Sequence, residues 1–414
     1  MMNHRRRVVI TGVGAVTPLA LTAEETWQGF VDGRSGVDRI TQFDTTGIPS
    51  QIAGEVKGFD PADYIDFKEA RRMSRASHLA VAASQEAVAD AGLEPPLGER
   101  AGVLIGSAAG GLEWLVDQVE IMESKGMRRV SPFAIPAALA NMPGHHVSRW
   151  SQAIGPITTV VTACATGTQA LGEAAEFIRR GATDIMIAGG VEGLIIKVTF
   201  VGFCQMQALS TRNDEPERAS RPFDADRDGF VFSEGAAVFV LESLEHARGR
   251  GAPIVAEILG HASSSDGFHV AQPDPEGLGA MRAMRWALED AGVRPDQVDY
   301  INAHGSGTPL NDIAETKAIK GVFGDLAHQI PISSTKSMIG HAMGGAGAIE
   351  ALVCAMTLRD QIIHPTINLE TPDPECDLDY VPGTARPANV EVTLSNSFGL
   401  GGQNACLVLG KLEE

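Results

Sequence analysis

Three side chains in this sequence sit where chemistry is done. Cys164 lies in Val160-Val-Thr-Ala-Cys-Ala-Thr-Gly167, between a β-branched run and a small-residue helix start. A thiol there meets the positive end of a helix dipole and free backbone N–H groups, which predicts a depressed pKa and an accessible sulfur. His304, in Asn302-Ala-His-Gly-Ser-Gly-Thr308, and His341, in Ser337-Met-Ile-Gly-His-Ala-Met343, occupy glycine-flanked turns after strands. A Cys with one His as general base suggests a hydrolase. Two neutral imidazoles beside one thioester point elsewhere. Each donates an N–H to the same carbonyl oxygen and steadies the charge of an enolate. That is carbon–carbon bond formation on acyl thioesters. Cys204, Cys354 and Cys406 lie in apolar or helical contexts and read as inert; Cys376 lies in the acidic stretch 374–379, which raises its pKa.

The elements that must position these groups show an internal repeat. Ala87-Val-Ala-Asp-Ala-Gly-Leu-Glu-Pro95 parallels Ala287-Leu-Glu-Asp-Ala-Gly-Val-Arg-Pro295. Each copy ends a helix-like run at a glycine suited to the left-handed conformation, with a proline soon after. A strand-like segment follows each, AGVLIGS and VDYINAHGS, then another strand, a small-residue turn and a helix. Two α/β halves of mixed sheet under helices are expected, since parallel pairing needs helical crossovers. They divide near Arg248–Pro253, as residues 1–252 carrying the Cys and 253–414 carrying both His. The tips holding His304 and His341 correspond to the tips of the first half, so a pseudo-twofold would bring them to Cys164. The polar stretch from Arg212 to Arg227 reads as a long surface excursion.

Composition narrows the classes. The 414 residues are 44% apolar and 21% charged, with a formal net charge of −19. Disorder is excluded, and so acidic a surface repels nucleic acid and anionic membranes. No stretch suits a membrane helix or a signal peptide. Five cysteines without CxxC spacing argue against disulfides and structural zinc, and fit a reducing cytoplasm. Asp224, Asp226, Asp228 and Gly229 start like a calcium loop, but its twelfth position is Gly235 rather than Glu. Thr11-Gly-Val-Gly14 lacks the third glycine of a dinucleotide fingerprint.

Several motifs together resemble the β-ketoacyl-[acyl-carrier-protein] synthases of the elongating (KAS II) type. They are TACATG around Cys164, LSTRND (209–214), SRPFDADRDGFV (220–231), NAHGSGT with His304 and KSMIGHAMGGAGAIE with His341. Matching runs from RRVVITGVGAVTPL to SNSFGLGGQNACLVL, nearly the whole chain. The resemblance implies a thiolase-like fold, two duplicated α/β halves layered α-β-α-β-α. It implies a decarboxylative Claisen condensation of a malonyl thioester with an acyl group on Cys164, without metal or organic cofactor. Substrates would ride on the phosphopantetheine of acyl carrier protein.

Carried over residue by residue, the resemblance makes Cys164 the nucleophile and His304 and His341 the decarboxylation and condensation pair. Lys336 orders the site, with Glu350 an acidic neighbour. The oxyanion N–H groups would come from Cys164 and from near Leu400. Ser306 and Thr308 would contact the pantetheine arm, while Ala109, Ala134, Phe203, Phe398 and Leu400 line the substrate pocket. Lys68, Arg71 and Arg72, at helical spacing with Arg75, and the pair Arg128 and Arg129 would dock the acidic carrier. The chain departs from the housekeeping pattern in having Ala109 and Ala134 where bulky residues are common, Leu400 for a gatekeeping Phe, Gln207 for an Arg and Ala271 for a Thr. HGSGT and PECDLDYVP (374–382) also resemble ketosynthase subunits of type II polyketide systems, which pair with a chain-length factor lacking the nucleophile. A homodimer and such a heterodimer both stay open. The presence of Cys164, His304 and His341 argues against the chain being the chain-length factor itself. A coenzyme A thiolase would need a second-half cysteine that NSFGLGG does not supply.

Overall fold

The computed structural model describes residues 5–412. Ten strands build its main sheet. The first half contributes β1 (Val8–Val16), β2 (Ala101–Gly106), β3 (Ile157–Thr158), β4 (Ile185–Glu192) and β5 (Gly235–Ser243). The second contributes β6 (Ala256–Ser265), β7 (Tyr300–Asn302), β8 (Ile332–Ser333), β9 (Val392–Gly399) and β10 (Gln403–Gly410). Their order is β8-β7-β9-β10-β6-β1-β5-β4-β2-β3. Adding five to each first-half strand gives its second-half counterpart, read outward from the centre. Directions agree too: the outer three strands of each half are parallel and the inner joins antiparallel. The sequence repeat is therefore a repeat of topology. The expected pair of sheets is fused at a narrow seam, where Val8–Ile10 of β1 pairs antiparallel with Ala256–Ile258 of β6.

The repeated ADAG segments close equivalent helices. Helix α1 (Arg75–Asp90) reaches Gly92 at φ +64°, and its counterpart Leu278–Ala291 reaches Gly292 at φ +67°. Each covers the outer face of its own half. Gly12 and Gly14 of β1 let α1 lie against the backbone; a Cβ on Gly12 would stand 2.2 Å from the carbonyl oxygen of Ala87. Close helix–strand packing accounts for that GxG.

Two more helices fill the space between the halves. They are α2 (Thr166–Arg179) and α4 (Ala346–Asp360), with α3 (Leu278–Ala291) the counterpart of α1. Helix α4 is buried from Ala346 to Leu358 on every side, so it shows no polar face. Such a helix belongs at the centre of a layered structure. Helix α2 touches strands of both halves, and the layers run α1, first half-sheet, α2 with α4, second half-sheet, α3. Small residues permit the central contact. A Cβ on Gly167 would lie 2.5 Å from the amide nitrogen of Ala348, and one on Gly347 2.2 Å from Thr168 Oγ1.

The stretch from Arg212 to Arg227 runs over the surface as far as Arg218 and then turns inward, where a surface course was expected throughout. Arg221, Phe223, Asp224 and Arg227 are buried. Asp224 pairs with Arg221 at 3.0 Å and accepts from the backbone N–H groups of Asp226, Glu370 and Thr371. Phe223 stacks on Tyr380 with ring centroids 3.7 Å apart. Of the aspartates that looked like a calcium loop, Asp224 forms a clasp between the halves, because a buried carboxylate must be paired and hydrogen-bonded, while Asp226 and Asp228 are exposed.

Candidate active site

Cys164 stands in the tight turn Ala163–Ala165 just before α2, and the turn Met343–Gly345 stands equivalently before α4. Both turns hold a non-glycine residue in the left-handed region, Ala163 at φ +49° and Met343 at φ +45°. Strain of this kind persists only where surrounding structure over-determines it, and it concentrates at functional sites. Gly344 occupies the position answering to Cys164, where a Cβ would lie 2.5 Å from the amide of Ala108. The duplication thus keeps one thiol and sets the loop of His341 beside it.

The thiol itself corrects an expectation. Burial pushes its pKa up to about 11, although the backbone N–H of Leu400, the Lys336 ammonium and its own N–H pull it down. Cys164 is 5% exposed, and in so dry a place loss of solvation outweighs the favourable dipoles. Cys354, Cys376 and Cys406 are also buried with raised pKa values. For Cys376 burial, rather than its acidic sequence neighbours, is the larger cause.

The two histidines converge. Their ring centroids lie 5.3 Å apart at 83°. The backbone of His341 is tied to the strand-like segment before β5, donating to Val231 O at 2.7 Å and accepting from Ser233 N–H at 3.0 Å. His304 N–H and Gly305 N–H both donate to the buried carboxylate of Glu315, each at 2.8 Å. The tautomers follow from the neighbours. Met343 N–H donates to His341 Nδ1 at 3.2 Å, so the proton resides on Nε2, which has no partner among the described residues. Lys336 Nζ lies 3.4 Å from His304 Nδ1 and donates to the His304 carbonyl at 2.6 Å, which likewise leaves the proton of His304 on Nε2. Burial, then the Lys336 charge, holds both imidazoles well below the usual histidine range; each ring is neutral at pH 7. Lys336 pairs with Glu350, and both are fully buried. Ser397 Oγ donates to Glu350 at 3.4 Å and meets Thr168 Oγ at 2.7 Å, which ties the pair to α2.

Cys164, His304 and His341 line one cleft of about 520 Å³. Phe203, Ser306, Thr308, Phe398 and Leu400 line it as expected, together with Gln207 and Ala271. Ser306 Oγ and Thr308 Oγ1 lie 3.0 Å apart at its side. Ala109 and Ala134 do not line it. Ala109 packs against the apolar cluster that contains Cys164, Phe200 and Phe230, while Ala134 is buried in the short helix Ala134–Ala138. Lys68, Arg71, Arg72, Arg128 and Arg129 are exposed. Arg75 leaves that basic group: it turns inward to the buried Glu234 at 2.9 Å and lies over the Phe59 ring.

Sequence reasoning missed two buried acids. Glu315 fixes the turn after β7 as described. Glu192, at the end of β4, accepts from Ser107 Oγ at 3.1 Å, Ala108 N–H at 3.0 Å and Gly344 N–H at 3.2 Å, and so joins the loop of His341 to the first half. Burial raises its carboxyl to about 7. A carboxylate ending an otherwise apolar strand, IMIAGGVE, was the available signal. One trio of possible metal ligands, Glu176, His261 and Asp290, lies near α2, but the guanidinium groups of Arg5 and Arg179 already occupy its carboxylates.

Known proteins resemble this chain along nearly its whole length. The 3-oxoacyl-[acyl-carrier-protein] synthase 2 of Synechocystis sp. is 49% identical over 412 residues, 99% of each chain. Among solved structures, the ishigamide ketosynthase/chain length factor superposes with a TM-score of 0.92 at 38% identity, covering 99% of this chain and 100% of that one. A type II polyketide ketosynthase solved in complex with its acyl-carrier protein gives 0.91 at 35% identity, with the same coverage. The N-terminal domain of the beta-ketoacyl synthase family matches residues 5–247 and its C-terminal domain residues 255–370. No helix among the described residues is long and apolar enough to cross a membrane. With a cysteine at the head of α2, two converging imidazoles and a duplicated α/β fold, the chain belongs to the beta-ketoacyl synthase family.

Proposed function

We propose that this enzyme condenses a malonyl thioester with an acyl group held on Cys164, releasing carbon dioxide and a β-ketoacyl thioester. The observation that carries the reading is the pair of neutral rings, each offering an Nε2–H into the cleft that holds the thiol. In the first half-reaction Cys164 sulfur bonds to the acyl carbon, and its proton leaves with the departing pantetheine thiol. The tetrahedral oxyanion is met by the N–H groups of Leu400 and Cys164, the donors that face the resting sulfur. In the second, the malonyl carboxylate departs as carbon dioxide while the two Nε2–H groups hold the enolate oxygen. The resulting carbanion attacks the acyl carbon and frees the Cys164 thiolate, which takes a proton from water to restore the resting thiol. Lys336 is a positioning residue, locking the His304 tautomer and keeping both rings neutral, and Glu350 balances its charge. As drawn, the reaction needs no metal or organic cofactor.

The substrates arrive on the phosphopantetheine of an acyl carrier protein, whose arm passes Ser306 and Thr308, with Lys68, Arg71, Arg72, Arg128 and Arg129 drawing the acidic carrier in. Residues 1–252 and 253–414 form the two halves. The helix Leu112–Lys125 has no fully buried residue, and Met127, Ile135 and Ile157 are exposed beside or beyond it. An apolar surface of this kind is completed by a second subunit, which we take to be a second copy, in the cytoplasm. Fatty-acid-type elongation is the reading preferred. Polyketide extension beside a Cys-less paralogue is favoured only if the native protein purifies as an unequal pair. Incubation with acyl- and malonyl-carrier protein, followed by mass spectrometry, tests the central claim. Acyl-Cys164 and β-ketoacyl product are expected, and full turnover by Cys164→Ala would overturn it.

A further inference from the structure

One buried carboxyl beside the site has no part in the reaction as drawn. Glu192 is fully buried at the end of β4, and the corresponding strand of the second half, β9, ends at Gly399. The two strand ends meet equivalent turns. β9 runs on to Leu400, whose N–H faces the sulfur, and a Cβ on Gly399 would stand 3.1 Å from the amide nitrogen of Cys164. β4 brings Glu192 against the turn Met343–Gly345, where Gly344 answers to Cys164. There Glu192 Oε2 accepts from Gly344 N–H at 3.2 Å and Ala108 N–H at 3.0 Å, while Oε1 accepts from Ser107 Oγ at 3.1 Å. The duplicated turns thus diverge at one atom. The N–H of Cys164 faces the sulfur, and the equivalent N–H of Gly344 is held by a carboxylate.

That held N–H governs His341. The turn keeps Met343 at φ +45°, and Met343 N–H donates to His341 Nδ1 at 3.2 Å. Two successive N–H groups are therefore aimed at two fixed acceptors, the ring and the carboxylate. Relaxing the strained φ of Met343 would turn one of them away, and the Glu192 bond opposes it. We propose that Glu192 is the positioning residue of His341: by holding Gly344 N–H it keeps Met343 N–H on Nδ1, and so keeps the Nε2–H of the ring aimed into the cleft. The proposal rests on the condensation reading above. It requires an acceptor of the right length rather than a charge. Burial holds Glu192 near 7, and a proton on Oε1 is met by Ser107 Oγ, which leaves Oε2 accepting from both N–H groups in either state.

Two variants separate reach from charge. Glu192→Asp keeps the charge but withdraws it by one methylene from Gly344; Glu192→Gln keeps the length and an acceptor without the charge. Carbon dioxide release from malonyl-carrier protein and acylation of Cys164, read by mass shift, are measured in each, alone and combined with His341→Ala. In Glu192→Asp the kcat for carbon dioxide release is expected to fall about 10²-fold, as for a catalytic group displaced from its place, with KM and Cys164 acylation unchanged. Glu192→Gln is expected to restore the rate. Adding Glu192→Asp to His341→Ala should cost nothing further, because both changes act on one donor. Equal losses in the two half-reactions overturn the proposal, as do a Gln variant slower than the Asp variant and additive losses on the His341→Ala background. Each is the behaviour of a carboxylate that only stabilises the fold. If Glu192→Asp does not fold, a loss of about 10²-fold in Glu192→Gln overturns the proposal by itself. A His341→Ala chain that releases carbon dioxide at the full rate overturns the condensation reading instead.

Discussion

On the proposed mechanism His341→Ala removes one of the two N–H donors that face the enolate, and its consequences differ between the half-reactions. The Nε2–H of His341 is buried and unpartnered among the described residues, so it is spare capacity aimed into the cleft. Loss of one such preorganised donor costs about 10²–10³ in rate, roughly 3–4 kcal/mol. Acyl transfer to Cys164 draws on the N–H of Leu400 and of Cys164 instead. Carbon dioxide release from malonyl-carrier protein is therefore expected to fall about 10²–10³-fold, and acylation of Cys164, read by mass shift, less than about tenfold. Removing His304 as well adds less than the sum, because both rings serve one oxygen. The pH profile gives a second reading. Burial and Lys336 keep both rings neutral, so decarboxylation stays level from pH 6 to 8, with no inflection near the ordinary histidine value. Lys336→Met removes the cation and lifts both imidazole pKa values toward that range. Equal losses in the two half-reactions, or a wild-type rate that falls as pH rises through about 6.5, would refute the assignment of neutral donors.

Other expectations follow from the same geometry. Alkylation of Cys164 by iodoacetamide should rise about tenfold per pH unit well above pH 8, since its thiol lies near 11; a plateau near pH 7 would show that burial does not govern it. Burial holds Glu192 near 7, above its ordinary value of 4.5, so the folded state binds the extra proton between those values. Its contribution is most favourable below about pH 4.5 and is lost as pH rises through 7, a swing of roughly 3 kcal/mol. In Glu192→Gln that swing vanishes, and the thermal-midpoint gap between wild type and variant should narrow from pH 5 to pH 8; a constant gap would mean the carboxyl is ionised throughout. Gly347→Ala forces a methyl to within 2.2 Å of Thr168 Oγ1 and should lower stability by about 1–3 kcal/mol, measured by urea unfolding. Ala109→Phe adds bulk to the apolar cluster around Cys164 and should shorten the longest acyl chain accepted, read from product length.

The trio that converges on the cleft was legible in the chain because each member carries a local signature. Cys164 sits between a β-branched run and a small-residue helix start, and the histidines sit in glycine-flanked turns, patterns that survive in one dimension. The repeat was legible for a similar reason, since ADAG marks the end of a helix wherever it recurs. What escaped depends on partners distant in sequence. Arg75 belongs to a basic row by spacing, yet Glu234, more than 150 residues on, turns it inward. Arg221, Asp224 and Arg227 read as polar surface, but Glu370, Thr371 and Asp373 close around them. A motif reports which residues are present, and only the fold decides which charges find each other.

The pKa of Cys164 shows why that distinction matters for mechanism. Position in the chain places the thiol at a helix start, and that alone favours the thiolate; burial wins by a wide margin in the resting protein. A thiol held protonated in a dry cleft is poorly reactive toward stray electrophiles. It becomes a nucleophile when an arm brings a thioester between it and the N–H groups of Leu400 and Cys164, so that charge leaving the sulfur is received on the oxygen those groups already face. The neutral histidines obey the same logic, idle until a malonyl carbonyl supplies the oxygen their Nε2–H groups lack. Reactivity in this site is assembled by the substrate, from donors that the duplicated fold keeps aimed and unsatisfied.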